Sequence, residues 1–458
     1  MGREIPYVVP TEDEVKEMLK EVGVKDVDEL YSDIPSKYLL ERFDFPPSKS
    51  EIEVKEIIKE ILSKNKCMDE LKLFIGGGAW PHYIPSAVKE IASRSEFLTS
   101  YTPYQPEVSQ GILQALFEYQ SLLAELLEID VVNASMYDWA TALGEAFRMA
   151  ARVTGRKKIL YPHYISPQRR EVASTYSSGM RLRLENYMHL EDGSVDVEDL
   201  QNKLDRDVAA IYIEYPSYLG FITKNIKTVS ELAHESGALF IVGVDPSALG
   251  ILEAPGRLGA DIVVGEGQPL GLPMSFGGPL LGILGCRLEP RLLHSLPGRL
   301  IGMTKTLRGD ERAYCMILQS REQHIKREKA TSNICTNQAL CAVTVAAYLS
   351  LLGKNGFIEL GRQILARTNY MIKKLSEISG VNVPLFDAPH FKEFAYRVDG
   401  YPSNELLRKL LERGIVGGID LSREFEELGN SILTCVTEIH SKQDIDQYVN
   451  TVKEVVER

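Results

Sequence analysis

Tyr101, Tyr104 and Gln105 stand together in Tyr101-Thr-Pro-Tyr-Gln-Pro-Glu107, a stretch stiffened by Pro103 and Pro106. Phenol hydroxyls placed there can hydrogen-bond a carboxylate, although aromatic packing at an interface explains the same residues equally well. Farther on, a charged run from Arg321 to Lys329 stops at Thr331-Ser332-Asn333, and an apolar stretch follows. A triplet so placed starts a helix, whose unpaired N–H groups attract carboxylates and phosphates. Spacing alone also fits a plain cap, with Ser332 or Asn333 opening a helix from Ile334 to Leu352.

Asp245 closes the strand-like run Leu239-Phe-Ile-Val-Gly-Val-Asp245. An acid at the carboxyl end of a central strand is well placed to face a ligand. In pyridoxal phosphate enzymes of the aspartate aminotransferase type, such an Asp keeps the pyridine nitrogen protonated, and the pyridinium draws electrons from a carbanion. The competing reading is a cap, with Pro246 at the first position of the next element. Those enzymes also need a lysine to hold the cofactor, typically after the following strand. No lysine lies between Lys227 and Lys305, and Gln268-Pro269 stands where it is expected. Proline has no amine to offer. Gly76-Gly-Gly-Ala-Trp-Pro-His82 and Gly277-Gly278-Pro279 permit close backbone approach, while His82 and His163 lack metal-ligand spacing.

The elements that must position these residues read as α/β between about 70 and 330. Helical spacing covers Glu107 to Ile129. Short apolar strands are expected at 131–134, 159–161, 209–213, 240–244, 262–264 and 280–284, most of them separated by helices such as 167–176, 225–236 and 290–296. Such strands imply a largely parallel sheet covered on both faces. Ahead of it, Thr11 with Glu14 and Ser50 with Glu53 form capping-box patterns on two helices joined by a proline-bearing connector. After it come an alternating strand at 394–398, a helix capped by Ser403, a strand at 432–436 and a last helix capped by Ser441 with Asp444. The expected organisation is an N-terminal helical arm (1–65), a large α/β domain (66–330), and a linking helix with a small α+β domain (331–458).

A chain of 458 residues with net charge −12 and no basic tract is not a general nucleic-acid binder. Met1-Gly2 through Pro6 lacks the apolar core of a signal peptide, and Pro6 breaks the myristoylation pattern. The longest apolar segment, 342–352, is too short to cross a bilayer. Six cysteines without a Cys-x-x-Cys pair read as reduced thiols of a cytoplasmic protein.

Several of these segments resemble one family, the glycine decarboxylase P-proteins of the glycine cleavage system. They are Tyr101–Gly111, Asn133-Ala-Ser-Met-Tyr-Asp138, Asp245-Pro-x-Ala-Leu-Gly250, Gly-Gln268 and Arg321–Thr336. The resemblance runs over essentially the whole chain. A single-chain P-protein is about twice as long and has two homologous halves; this chain is similar to the N-terminal half, made separately as subunit 1 (alpha) of a two-subunit enzyme.

That resemblance implies a type I pyridoxal-phosphate transferase fold, aspartate aminotransferase-like, with a mostly parallel large domain and a small α+β C-terminal domain. It implies that the lysine and pyridoxal phosphate belong to a homologous subunit 2, in a heterodimer or a dimer of heterodimers. Glycine would be decarboxylated there and its aminomethyl group passed to the lipoyl arm of H-protein, with T- and L-proteins completing the system. Tyr101, Tyr104, Gln105, Thr331, Ser332 and Asn333 would reach into the partner's site as positioning groups. Asp245, Gln268 and Trp139 would mark a degenerate cofactor site. Trp139 stands where the family often has a small residue, in the loop that meets a cofactor phosphate, and Pro81 replaces an acid of the family's glycine-rich loop. The alternatives are a catalytically silent scaffold and a stand-alone pyridoxal enzyme using an unexpected lysine such as Lys305.

Overall fold

Val208–Tyr215 is buried at every position, and Leu239–Val244 and Ile262–Glu266 are buried almost throughout. Strands hidden on both faces need cover on both, and that requirement shapes the architecture. The computed structural model describes residues 10–40 and 45–457, and its contacts divide the chain into two units, Met1–Lys66 and Cys67–Arg458.

In the first unit, helices α1 (Glu12–Val22) and α2 (Glu51–Leu62) open on the expected capping boxes, Thr11 with Glu14 and Ser50 with Glu53. Neither helix buries a residue. The reading of Gly2 and Pro6 lies outside the described residues.

The second unit is built on a seven-stranded sheet. Its strands are β1 (Val131–Val132), β2 (Lys158–Pro162), β3 (Arg183–Tyr187), β4 (Val208–Tyr215), β5 (Leu239–Val244), β6 (Ile262–Glu266) and β7 (Gly282–Cys286). The order is β1-β7-β6-β5-β4-β2-β3, parallel from β6 to β3, with β7 antiparallel to both neighbours. The two-residue period of a strand sorts the core. Ile211, Ile213, Val242 and Val244 pack into one face with Leu113, Leu116 and Leu123 of α3 (Gln110–Leu127). Tyr212, Ile241 and Val264 pack into the other with Leu143, Phe147 and Ala150 of α4 (Trp139–Thr154).

A hairpin, β8 (Leu300–Lys305) with β9 (Arg312–Ile317), follows the sheet. Beyond the long helix α5 (Ala339–Ser376) comes a small antiparallel sheet with its own core around Phe394, Tyr396, Ile432 and Tyr448. Its strands β10 (Val381–Asn382), β11 (Glu393–Val398), β12 (Ile419–Asp420) and β13 (Ser431–Cys435) lie in the order β10-β11-β13-β12.

Four expectations are corrected. The helix placed from Ile334 begins at Ala339, after an irregular stretch. Ser332 commits its hydroxyl to Glu145 and to the Ile334 N–H, and Asn337 turns left-handed at φ 41°, so the backbone cannot coil until after it. The triplet 331–333 is therefore no helix N-terminus. Trp139 is not in a loop; it is the first residue of α4, whose capping box pairs Asp138 with Thr141. Ser403 is the first residue of its helix rather than the cap, and its hydroxyl donates to Asp420 at 2.7 Å. Finally, the apolar segment 342–352 belongs to a helix of 38 residues, long and apolar enough by length and composition to span a bilayer. Gly353, at φ 60°, breaks it, and Ala342, Val343, Val345, Ala346 and Tyr348 are packed in the sheet's core.

Candidate functional site

The carboxyl ends of β5 and β6 point toward a pocket closed by two other segments: the glycine-rich loop 76–82 and the start of β11. Asp245 sits just past β5 and is 5% exposed; one of its oxygens accepts from the Ser247 hydroxyl at 2.7 Å. Its other oxygen lies 2.5 Å from the Lys392 ammonium, which is 1% exposed. Lys392 also contacts Ser247 Oγ and His82 Nε2, each at 3.3 Å, and lies 3.7 Å over the Trp80 ring. His82 Nδ1 bonds Glu438 at 2.8 Å. Burial pushes Glu438 up, but His82 and the Tyr83 N–H outweigh it and hold the carboxyl at about 2. Beside Lys392, Glu393 accepts from the Gly77 N–H at 2.6 Å, and burial lifts it to about 7.

The other end of the pocket is satisfied in the same internal way. Glu266, the last residue of β6, accepts from the backbone N–H groups of Trp139, Gln268 and Leu281 at 3.1, 3.0 and 2.9 Å. The Trp139 N–H belongs to the first turn of α4, where an incoming anion would otherwise dock. Burial drives Glu266 up to about 8 against those three donors. The Trp139 ring lies 4.0 Å from the guanidinium of Arg169, which is itself locked onto Glu214 by two 2.8 Å bonds. Gln268 is spent on Trp80, accepting from its N–H and donating to its carbonyl, and also donates to the Leu272 carbonyl.

These residues do not fit pyridoxal phosphate. The space left among Gly77, Trp80, Trp139, Arg169, Asp245 and Glu393 is about 10 Å³, no more than one water needs. The Asp245 carboxylate already has a cation, the α4 terminus already has an acid, and Gln268-Pro269 offers no amine. Lys305, at the exposed end of β8, is paired with Arg312 across the hairpin.

A second cluster faces outward. Tyr101 is 76% exposed and Tyr104 48% exposed, with Gln105 also at the surface. Their loop is tied to the segment after the triplet: Thr102 and Thr336 share a hydrogen bond of 2.9 Å. Arg299, just before β8 and 4% exposed, donates to Tyr104 Oη at 3.2 Å and approaches Cys335 Sγ at 3.6 Å. Partial burial raises Tyr104 although Arg299 opposes it. Burial pushes the Cys335 thiol up, but Thr336 and Arg299 outweigh it and hold the group below the ordinary thiol range. The triplet itself sits to one side. The Thr331 carbonyl accepts from Arg152 at 3.2 Å, Ser332 is 9% exposed and bonded to Glu145, and Asn333 is exposed. Ser332 and Asn333 edge an open groove of about 570 Å³ shared with Arg148, Tyr176 and Arg327. Thus residues 335–336, not 331–333, meet the tyrosine loop.

The matched family model, the glycine cleavage system P-protein, covers residues 5–452. The chain belongs to the glycine cleavage system P-protein family. It is 49% identical to the probable glycine dehydrogenase (decarboxylating) subunit 1 of Staphylothermus marinus, over 98% of both chains. It is 48% identical to the same subunit of Pyrococcus abyssi, over 98% of this chain and 99% of the relative. A crystal structure of glycine decarboxylase (P-protein) of the glycine cleavage system, in inhibitor-bound form, superposes with a TM-score of 0.86 at 38% identity, over 98% and 99% of the chains. The cysteine desulfurase of Thermococcus onnurineus shares the fold at 17% identity with a TM-score of 0.62, over 88% of this chain and 98% of that one. The fold is the type I pyridoxal-phosphate transferase fold.

Sequence reasoning found Asp245, Gln268, Trp139 and the tyrosine loop but missed Lys392, Glu266 and Arg299. Lys392 gives no periodic signal: it is a lone left-handed residue (φ 63°) ahead of a strand, and it stands 145 residues along the chain from Ser247. Glu266 could have been noticed as an acid ending an otherwise apolar strand.

Proposed function

We propose that this chain is the half of a two-subunit glycine decarboxylase that completes an active site on its homologue without hosting one. Pyridoxal phosphate and the lysine that holds it then belong to the second subunit. Glycine loses its carboxyl group there, and the aminomethyl group passes to the lipoyl arm of H-protein, within a system that T- and L-proteins complete. One observation carries this reading. The pocket at the sheet's carboxyl end is filled by the chain's own groups, whereas Tyr101, Tyr104 and Gln105 are turned outward on a braced loop.

The residues divide the work. Tyr101, Tyr104 and Gln105 offer hydroxyl and amide groups to a bound amino acid. Arg299 and the Thr102–Thr336 bond hold that loop against the 335–336 segment. Thr331, Ser332 and Asn333 act as positioning residues: Ser332 fixes the segment on Glu145, and Asn333 lies exposed at the edge of the groove. Fixed donors of this kind favour a reactive orientation because little freedom is left to lose on binding.

The test is borohydride fixation of pyridoxal phosphate on the co-purified complex and on this chain alone, followed by intact mass of each chain. The cofactor mass should appear on the partner only. An adduct on this chain would defeat the proposal, with Lys305 and Lys392 the residues to map. If Tyr101→Phe and Tyr104→Phe leave turnover unchanged while the complex dissociates more readily, the chain is a scaffold instead.

A further inference from the structure

We propose that the closed pocket is a binding site for a primary ammonium group, and that Lys392 is its built-in ligand. The inference is independent of the catalytic reading and rests on the count of donors and acceptors. An ammonium has three N–H donors and no acceptor. Around Lys392 Nζ stand Asp245 Oδ2 at 2.5 Å, Ser247 Oγ at 3.3 Å and His82 Nε2 at 3.3 Å, three acceptors when His82 is neutral and donates its Nδ1 proton to Glu438.

Each acceptor is prepared by a neighbour. Ser247 donates its own hydrogen to Asp245 Oδ1, which leaves its lone pairs for the ammonium. His82 is turned by the bond from Nδ1 to Glu438, so that Nε2 faces Lys392. The Trp80 ring, 3.7 Å away, presents its electron-rich face. The protonated nitrogen of an aromatic ring has one N–H, so it would leave two of these acceptors unused. The site is matched to an ammonium in number as well as in charge.

The arrangement also explains the poor fit to pyridoxal phosphate. Lys392 occupies the acid that a ring nitrogen would need, and it enters from the start of β11 rather than from the loop after β6. It is a competitor for that end of the pocket, not an anchor for a cofactor aldehyde. Because Lys392 and Glu393 lead into the small sheet while Asp245 and Gly77 do not, the same contacts hold the small sheet against the large one.

The experiment removes the ligand and returns it in pieces. Lys392→Ala in the full chain deletes the equivalent of n-propylammonium. Its melting midpoint should fall by roughly 5 °C or more. Millimolar n-propylammonium chloride should restore most of that loss, whereas sodium chloride and sodium propionate should not. Wild type should be indifferent to the amine. Rescue should vanish in Lys392→Ala combined with Asp245→Asn. A failure of selective rescue, or a rescue that survives the Asp245 change, overturns the proposal. If Lys392→Ala does not fold, Lys392→Met keeps the volume and loses the charge. Adding Asp245→Asn to it should then recover much of the lost midpoint, and strictly additive losses would overturn the proposal equally.

Discussion

The Ser332 hydroxyl donates to Glu145 at 2.8 Å, joining the segment before α5 to the middle of α4, 187 residues away. Glu145 is fully buried, burial raises it, and Arg148 is its described ion-pair partner at 3.2 Å. Ser332→Ala should therefore cost about 1–2 kcal/mol of stability, because a buried acceptor is left short of a donor. Turnover of the complex should fall with it as the 331–336 segment loosens. Thermal denaturation beside steady-state kinetics checks both, and a variant with wild-type turnover would remove Ser332 from any positioning role.

Tyr101→Phe and Tyr104→Phe should behave differently. Tyr101 is largely at the surface, so its variant should stay within about 0.5 kcal/mol of wild type, whereas losing the Tyr104 hydroxyl takes a partner from the buried Arg299 and should cost about 1 kcal/mol. Each should lower turnover by roughly tenfold, the loss expected for one hydrogen bond used in the reaction. Tyr104→Phe additionally removes the acceptor of Arg299, so Arg299→Lys should reproduce part of its effect.

Two acids, the buried Glu393 and the partly buried Glu438, pull the pH dependence of stability in opposite directions. Glu393 holds its proton to about pH 7 when folded, against an ordinary value of 4.5. Between those values the folded chain binds more protons than the unfolded one, so this group's contribution weakens as pH rises from 4.5 to 7. The gap is worth at most about 3 kcal/mol. Glu393→Gln should flatten that decline while still accepting from Gly77. Glu438 works the other way: its folded value of about 2 makes it stabilising above pH 4.5, and that contribution is lost as pH falls toward 2. Melting midpoints from about pH 2 to 8, for wild type, Glu393→Gln and Glu438→Gln, would separate the two.

Gly220→Ala should be among the most damaging single changes. The residue is left-handed at φ +84°, and a Cβ there would lie 1.8 Å from the Glu393 carbonyl oxygen. Something must shift, and the nearest thing is the backbone that carries Lys392 and Glu393. A loss of about 3 kcal/mol or more is expected, read as a lowered denaturation midpoint.

The sheet was readable because its strands announce themselves. Ala209–Ile213 and Phe240–Val244 are apolar runs, and Asp245 ends the second abruptly. Strand β3 was missed because Arg183-Leu-Glu-Asn-Tyr187 lies at a sheet edge, carries three polar residues and breaks the alternation at Glu185-Asn186, so it resembles a loop. Helix α4 was missed because its cap pairs Asp138 with Thr141 instead of a hydroxyl with a glutamate. At the site, Asp245 and Gln268 were visible as chemistry in a strand context. Lys392 was not, because a buried lysine is recognised only by the acid it meets, and the fold alone brings the two together. The helix expected at Ser332 failed for a related reason: a hydroxyl that serves as a cap in one setting here serves a distant carboxylate.

The internal pairing of Lys392 with Asp245, and of Glu266 with the first turn of α4, bears on how the chain is made. A protein whose pocket is held together by a bound small molecule gains stability only in proportion to the supply of that molecule. Here both polar ends are satisfied by groups encoded in the same polypeptide. On the proposed reading, the stability of this pocket does not rise and fall with the cell's vitamin stores.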